Sequence, residues 1–102
     1  MDDNVGSHWV GLIIKSDYAL YSDSFGILPP LEVEQVCKGK KLYYNKKQIQ
    51  SLKATSCGYY CVAFLLYSHD VKAFNRFLET FVNYTDINDT ILKQLLESKG
   101  LK

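Results

Sequence analysis

The sequence predicts a single α+β domain in which a small, mostly antiparallel sheet packs against helices. The chain has 102 residues, of which 47% are hydrophobic, so it can build one packed core. Its first half contains short apolar runs typical of strands, and its second half contains longer stripes typical of helices. Strands followed by helices favour an α+β arrangement over alternating βαβ units.

The strands are expected in the first half of the chain. Residues 9–14 and 18–22 are apolar runs rich in β-branched and aromatic residues, and the polar segment 15–17 has the length of a hairpin connection. Because both faces of these runs carry apolar residues, we expect them at the centre of a sheet that is covered on both sides. Residues 31–37 are predicted to form a short helix and residues 41–44 a further strand.

Three helices are expected in the second half. Residues 57–67 follow Thr55 and Ser56, either of which can cap a helix. Residues 71–82 and 87–98 repeat apolar residues at helical spacing. These core-facing residues are Ala73, Phe74, Phe77, Leu78 and Phe81 in the first stripe and Ile91, Leu92, Leu95 and Leu96 in the second.

Composition and charge exclude several classes of protein. A formal net charge of +1 predicts neither a nucleic-acid-binding nor a membrane-surface protein. The one basic run is expected to be a solvated loop face; it contains Lys38, Lys40, Lys41, Lys46 and Lys47. The first residues lack the pattern of a signal peptide, and no apolar stretch approaches the ~20 residues of a membrane span. The three cysteines are therefore expected as reduced thiols of an intracellular protein.

Cys57 is the candidate nucleophile. It lies at a predicted helix start, where unpaired N–H groups and the helix dipole favour a thiolate over a thiol. Gly58 would let a substrate backbone approach closely, and the backbone amide of Cys57 or of Gly58 could bind a developing oxyanion. Cys61 lies one turn later and is expected in the core, and Cys37 is assigned no role.

His8 and Asp23 are the candidate base and its orienting carboxylate. If the hairpin loop between the first two strands has four residues, His8 lies directly opposite Asp23. If it has two, Asp23 lies opposite Val10, on the face that also carries His8. Only a three-residue loop places the two side chains on opposite faces. In the first two registers the carboxylate could hold one ring nitrogen of His8, which leaves the other to face a thiol.

Gln50 is the candidate second oxyanion donor. It precedes Cys57 by seven residues, in the polar segment that leads to the helix. A side-chain amide at that place could donate a hydrogen bond to the oxyanion. An exposed loop glutamine is the equally weighted alternative, and Gln48 is a competing donor.

Zinc coordination by Cys57, Cys61, His8 and His69 is a further alternative. The spacing of the two cysteines puts both thiols on one helical face. However, structural zinc sites usually show more tightly paired ligands, so neither a metal nor another cofactor is expected.

The ordered motifs resemble the adenovirus protease (adenain) family of cysteine peptidases. These motifs are Gly6-Ser7-His8-Trp9-Val10, Asp23-Ser24-Phe25-Gly26, Pro29-Pro30, Gln50 and Cys57-Gly58-Tyr59. The SUMO-specific Ulp-type proteases belong to the same clan. The greatest similarity is to adenain-like proteases of viruses and of large self-synthesising transposons. The resemblance covers about residues 6–68, which would be the catalytic core of the domain, with residues 69–102 as C-terminal helices.

The resemblance implies an endopeptidase with a Cys57, His8 and Asp23 triad and Gln50 as oxyanion donor. It disfavours Gln48 by spacing, and it implies that Trp9 lies beside the active site, with packing in the sheet as the alternative. Implied substrates are viral or transposon precursor proteins, or the tails of ubiquitin-like modifiers. The implied location is the cytoplasm or nucleus of a host cell, or the virion.

The chain departs from that family before its candidate histidine. Relatives usually carry several dozen residues there, whereas seven residues precede His8. We therefore expect a fragment, a truncated gene or a degenerate copy, in which a missing segment or a partner chain would complete the substrate cleft. The alternative function is an inactive protease fold that binds peptides.

Overall fold

Three strands and four helices make up the part of the chain that the computed structural model describes, residues 8–50 and 57–100. Their order and bounds are β1 Gly11–Ile14, β2 Tyr18–Ser22, α1 Leu31–Val36, β3 Lys41–Tyr44, α2 Cys57–Tyr67, α3 Val71–Thr80 and α4 Thr85–Ser98. The predicted α+β class is confirmed, and none of these helices is long and apolar enough to cross a membrane.

β1 and β2 form a tight antiparallel hairpin. Gly11 pairs with Ser22 and Ile14 with Ala19, and the N–H of Lys15 donates to the carbonyl of Tyr18 over 2.8 Å. The loop that remains outside the ladder therefore has two residues. Lys40 closes this end of the sheet, because its Nζ donates to the carbonyl oxygens of Lys15 and Ser16.

The sheet is mixed, and the prediction of a mostly antiparallel sheet is not confirmed. β2 pairs with β3 in parallel, with Tyr18 opposite Lys41 and Tyr21 opposite Tyr44. The reason is the connection between these strands: α1 carries the chain back, so that β3 runs in the direction of β2. Within the described residues the strand order is β1-β2-β3, so β2 has the predicted central position, whereas β1 lies at the edge of this three-stranded sheet.

The helices lie close to their predicted bounds. α2 begins at Cys57, as expected, whereas the predicted caps Thr55 and Ser56 lie outside the described residues. α3 ends two residues earlier than predicted, because the backbone turns to an extended conformation at Phe81. At its start, the carboxylate of Asp70 accepts a hydrogen bond from the N–H of Ala73, and this bond lowers the pKa of Asp70.

One hydrophobic core joins the sheet to the helices. Its fully buried members come from β2, the segment before α2, and α2, α3 and α4, and they include Leu20, Ile49, Tyr60, Phe64, Phe74, Phe77, Phe81 and Leu92. Gly11 allows β1 to approach α2 closely, since a Cβ atom at this position would overlap the ring of Phe64. This contact packs the second half of α2 against the beginning of β1.

Candidate functional site

His8 and Asp23 are joined by a hydrogen bond. The Nε2 atom of His8 lies 2.7 Å from Oδ1 of Asp23. When the observed hairpin register is continued by one step, Asp23 lies opposite Val10. This is the geometry expected for a two-residue loop, in which His8 and Asp23 meet diagonally on one face of the sheet.

The hydrogen bond also determines the tautomer of a neutral His8. A carboxylate can only accept hydrogen bonds, so Nε2 carries the proton and Nδ1 keeps its lone pair. The Nδ1 atom is buried and has no hydrogen-bond partner among residues 8–50 and 57–100. His8 thus presents a basic nitrogen on the side of the ring that faces away from Asp23.

Asp23 is buried and held from several directions. Its Oδ1 atom also accepts from the backbone N–H of Phe25 over 2.9 Å. Asn45 holds the backbone of the same residue, because its Oδ1 accepts from the N–H of Asp23 and its Nδ2 donates to the carbonyl. Sequence reasoning missed Asn45, which directly follows β3; it lies beside Asp23 because β3 is the parallel neighbour of β2, a pairing that only the fold reveals.

Phe25 and Gly26 complete the turn around Asp23. The ring of Phe25 stacks on the imidazole of His8, with centroids 4.4 Å apart and an angle of 16° between the planes. Gly26 has a φ angle of +75°, and a Cβ atom there would lie 2.9 Å from the backbone of residues 47 and 48. The turn of residues 23–26 therefore packs directly against the segment that leads to Gln50.

Gln50 is fully buried, so the alternative of an exposed loop glutamine is wrong. The hydroxyl of Ser24 donates to its Oε1, and the backbone carbonyl of Ser24 accepts from the N–H groups of Ile49 and Gln50, each over 2.8 Å. Gln48 is exposed, and its side-chain amide donates to the backbone carbonyl of Gln50. The structure thus brings Gln50, rather than the side chain of Gln48, into the buried cluster around the turn.

Asn88 in α4 is a second residue that sequence reasoning missed, and it supports the segment that leads to Gln50. Asn88 is fully buried, and its Nδ2 donates to the carbonyls of Ile49 and Val82, each over 2.8 Å. Its Oδ1 accepts from the N–H of Val82. The first turn of α4 therefore anchors the residue immediately before Gln50.

Cys57 is buried at the first residue of α2. The next residue, Gly58, faces Trp9: a Cβ atom on Gly58 would lie 3.8 Å from Cδ1 of the indole. Trp9 is 63% exposed, so packing within the sheet does not account for it. Since Trp9 follows His8 in the chain, the start of α2 lies beside the His8 and Asp23 pair.

Cys61 is half-buried rather than fully in the core. The pKa of its thiol is raised to about 11, mainly by burial and in smaller part by the charges of Cys57 and Asp23. These charge effects show that Cys61, Cys57 and Asp23 occupy one neighbourhood. The third thiol, that of Cys37, is buried at the C-terminal end of α1.

The zinc alternative finds no support in this geometry. Among the described residues, no group of three or more histidine, cysteine, aspartate or glutamate side chains could hold a metal ion. His69 is 73% exposed, and its Nε2 lies 3.9 Å from the carboxylate of Asp70.

The arrangement unites a carboxylate-bound imidazole, a thiol at a helix start and a buried amide around one end of the sheet. These are the groups that nucleophilic attack on a carbonyl requires. Searches against protein-family models, curated proteins and solved structures found no match for the chain.

Proposed function

We propose that this chain is a cysteine endopeptidase of the adenain type, with Cys57 as nucleophile, His8 as general base and Asp23 as its orienter. The observation that carries the proposal is the 2.7 Å hydrogen bond between Nε2 of His8 and Oδ1 of Asp23. It fixes the ring and leaves Nδ1 as the basic atom, which is what a base that serves a thiol requires. The order of motifs along the chain supports the same assignment.

The start of α2 is suited to a thiolate. The first N–H groups of a helix lack intrahelical acceptors, and the helix dipole is positive at this end. No acidic residue lies in the first turn of α2 to oppose that charge. A protonated His8 beside the helix start would stabilise the thiolate further.

The proposed reaction needs no external cofactor. Nδ1 of His8 takes the proton of the Cys57 thiol as its Sγ atom attacks the scissile carbonyl carbon; a C–S bond forms, the C=O π bond opens, and the carbonyl oxygen becomes an oxyanion. When this intermediate collapses, the C–N bond breaks and His8 gives its Nδ1 proton to the leaving amine. Water then attacks the thioester carbon while one of its protons passes to Nδ1 of His8. The C–S bond breaks, the sulfur takes that proton back from His8, and the acid and the Cys57 thiol are released.

Gln50 and the backbone amide of Cys57 are the proposed donors to the oxyanion. Trp9 and Gly58 are the proposed contacts for the substrate: the exposed indole offers an apolar surface, and the glycine leaves room for a peptide backbone. The proposed substrates are precursor proteins of a virus or mobile element, or the tails of ubiquitin-like modifiers.

Hydrolysis of fluorogenic peptides with small residues before the scissile bond tests this proposal. We expect Cys57→Ala to abolish turnover, and His8→Ala and Asp23→Asn each to lower kcat/KM at least about 100-fold. The matched controls use the exposed His69 and Asp70 pair, because His69→Ala and Asp70→Asn remove the same groups at a distance from Cys57. Turnover that survives Cys57→Ala would overturn the assignment. Peptide binding without turnover would favour the alternative of an inactive binding module.

A further inference from the structure

We propose that Ser24 is a positioning residue that determines which end of the Gln50 amide faces the reacting carbonyl. This inference rests on the proposed function and adds Ser24 to the residues that serve the proposed reaction. Ser24 lies between Asp23, which orients His8, and Phe25, which stacks on the imidazole. The same turn would therefore align both the base and the oxyanion donor.

Three hydrogen bonds join Ser24 to the segment that carries Gln50. Its carbonyl oxygen accepts from the backbone N–H groups of residues 49 and 50, and its hydroxyl donates to Oε1 of Gln50. Ser24 is 3% exposed and Gln50 is fully buried, so water does not compete for these bonds. The two backbone bonds hold the position of Gln50, and the hydroxyl bond holds the Oε1 end of its amide at the turn.

The rotation of this amide matters because its two ends have opposite hydrogen-bonding character. Nε2 is a donor and can stabilise an oxyanion, whereas Oε1 is an acceptor and would repel it. Since the Ser24 hydroxyl binds Oε1, the oxygen end points towards the turn and the donor end points away from it. Loss of the hydroxyl would remove this restraint on the amide, and we expect the oxyanion then to meet the acceptor end for part of the time.

A comparison of two reagents separates this role from a general effect on Cys57. Acylation by an activated ester, p-nitrophenyl acetate, passes through an oxyanion, whereas alkylation by iodoacetamide displaces iodide at a saturated carbon and forms none. We expect Ser24→Ala to slow acylation of Cys57 about 10-fold, a fraction of the loss that follows complete removal of a donor. Alkylation should keep its wild-type rate. On a Gln50→Ala background, Ser24→Ala should have no further effect on acylation.

Ser24→Thr and Ser24→Val form a matched pair of equal size that differs in the hydroxyl, and they replace the alanine variant if it does not fold. We expect acylation to be faster with threonine than with valine at equal alkylation rates. An equal loss from Ser24→Ala with and without Gln50 would overturn the inference, as would a parallel loss of alkylation. If Gln50→Ala leaves wild-type acylation unchanged, the oxyanion role of Gln50 in the proposed function fails and the inference fails with it.

Discussion

Asp23 makes hydrogen bonds through both its carboxylate and its backbone. A single oxygen accepts from His8 and from the N–H of Phe25, while Asn45 holds the main chain on both sides of the Cα atom. The sequence could predict the pairing of His8 with Asp23 because strand geometry limits the choice to a few registers. It could not predict Asn45, since the parallel placement of β3 beside β2 becomes apparent only in the fold.

The hydrogen bond of Ser24 to Gln50 could not be predicted from the sequence either. The place of Ser24 in the Asp-Ser-Phe-Gly motif was evident, but its hydrogen bond joins two residues that are 26 positions apart. No local pattern specifies such a contact. The burial of Gln50 was unpredictable for the same reason, because a polar loop residue is usually exposed.

The raised pKa of Cys61 predicts a dependence of stability on pH. The thiol of the unfolded chain loses its proton near its ordinary value of 9.0, whereas the folded chain holds it to about 11. The stability that the protonated Cys61 thiol contributes to the folded chain is therefore fully present below pH 9.0, and it is lost as the pH rises through about 11. We expect thermal melts to show that the difference in Tm between the wild type and Cys61→Ala shifts across this window, with the wild type losing more stability. A difference that stays constant with pH would contradict the assignment.

At the scale of elements, α4 determines where the Gln50 segment lies. Its first turn presents Asn88, which binds the carbonyl of Ile49 across 39 residues of sequence. The apolar stripe of α4 was predictable from its helical period, and Leu92 is buried as expected. The role of Asn88 was not predictable, because in the sequence it resembles an ordinary polar residue near a helix start.

Replacement of Asn88 should cost considerable stability. Asn88→Ala leaves the carbonyls of Ile49 and Val82 and the N–H of Val82 without the amide that they bind, and we expect a loss of about 3 kcal/mol in the free energy of unfolding. Urea denaturation measures this loss. The matched control is Asn83→Ala, since Asn83 is exposed and its replacement should change stability by less than about 0.5 kcal/mol. Equal small losses for both variants would show that the Asn88 contacts contribute little.

For the whole molecule, hydrophobic periodicity was sufficient to predict the class of fold and the order of its elements. β2, β3 and the start of α2 have the predicted bounds, because their patterns are strong and local. The sheet topology was not predictable to the same degree: a short helix between β2 and β3 converts an expected antiparallel pairing into a parallel one. The common core then brings four separate sequence segments, around residues 8, 23, 50 and 57, to one end of the sheet.

The rate at which iodoacetamide alkylates each of the three cysteines, mapped by mass spectrometry on the folded chain, tests the central claim most directly. Exposure alone would favour Cys61, which is half-buried, over Cys57, which is buried. Our account predicts the opposite order at neutral pH, with Cys57 reacting at least about ten times faster than Cys61 or Cys37 because His8 activates its sulfur. That advantage should be lost in His8→Ala and kept in His69→Ala. Equal rates at the three cysteines, or a Cys57 rate that is insensitive to His8→Ala, would contradict the claim that Cys57 and His8 form a catalytic pair.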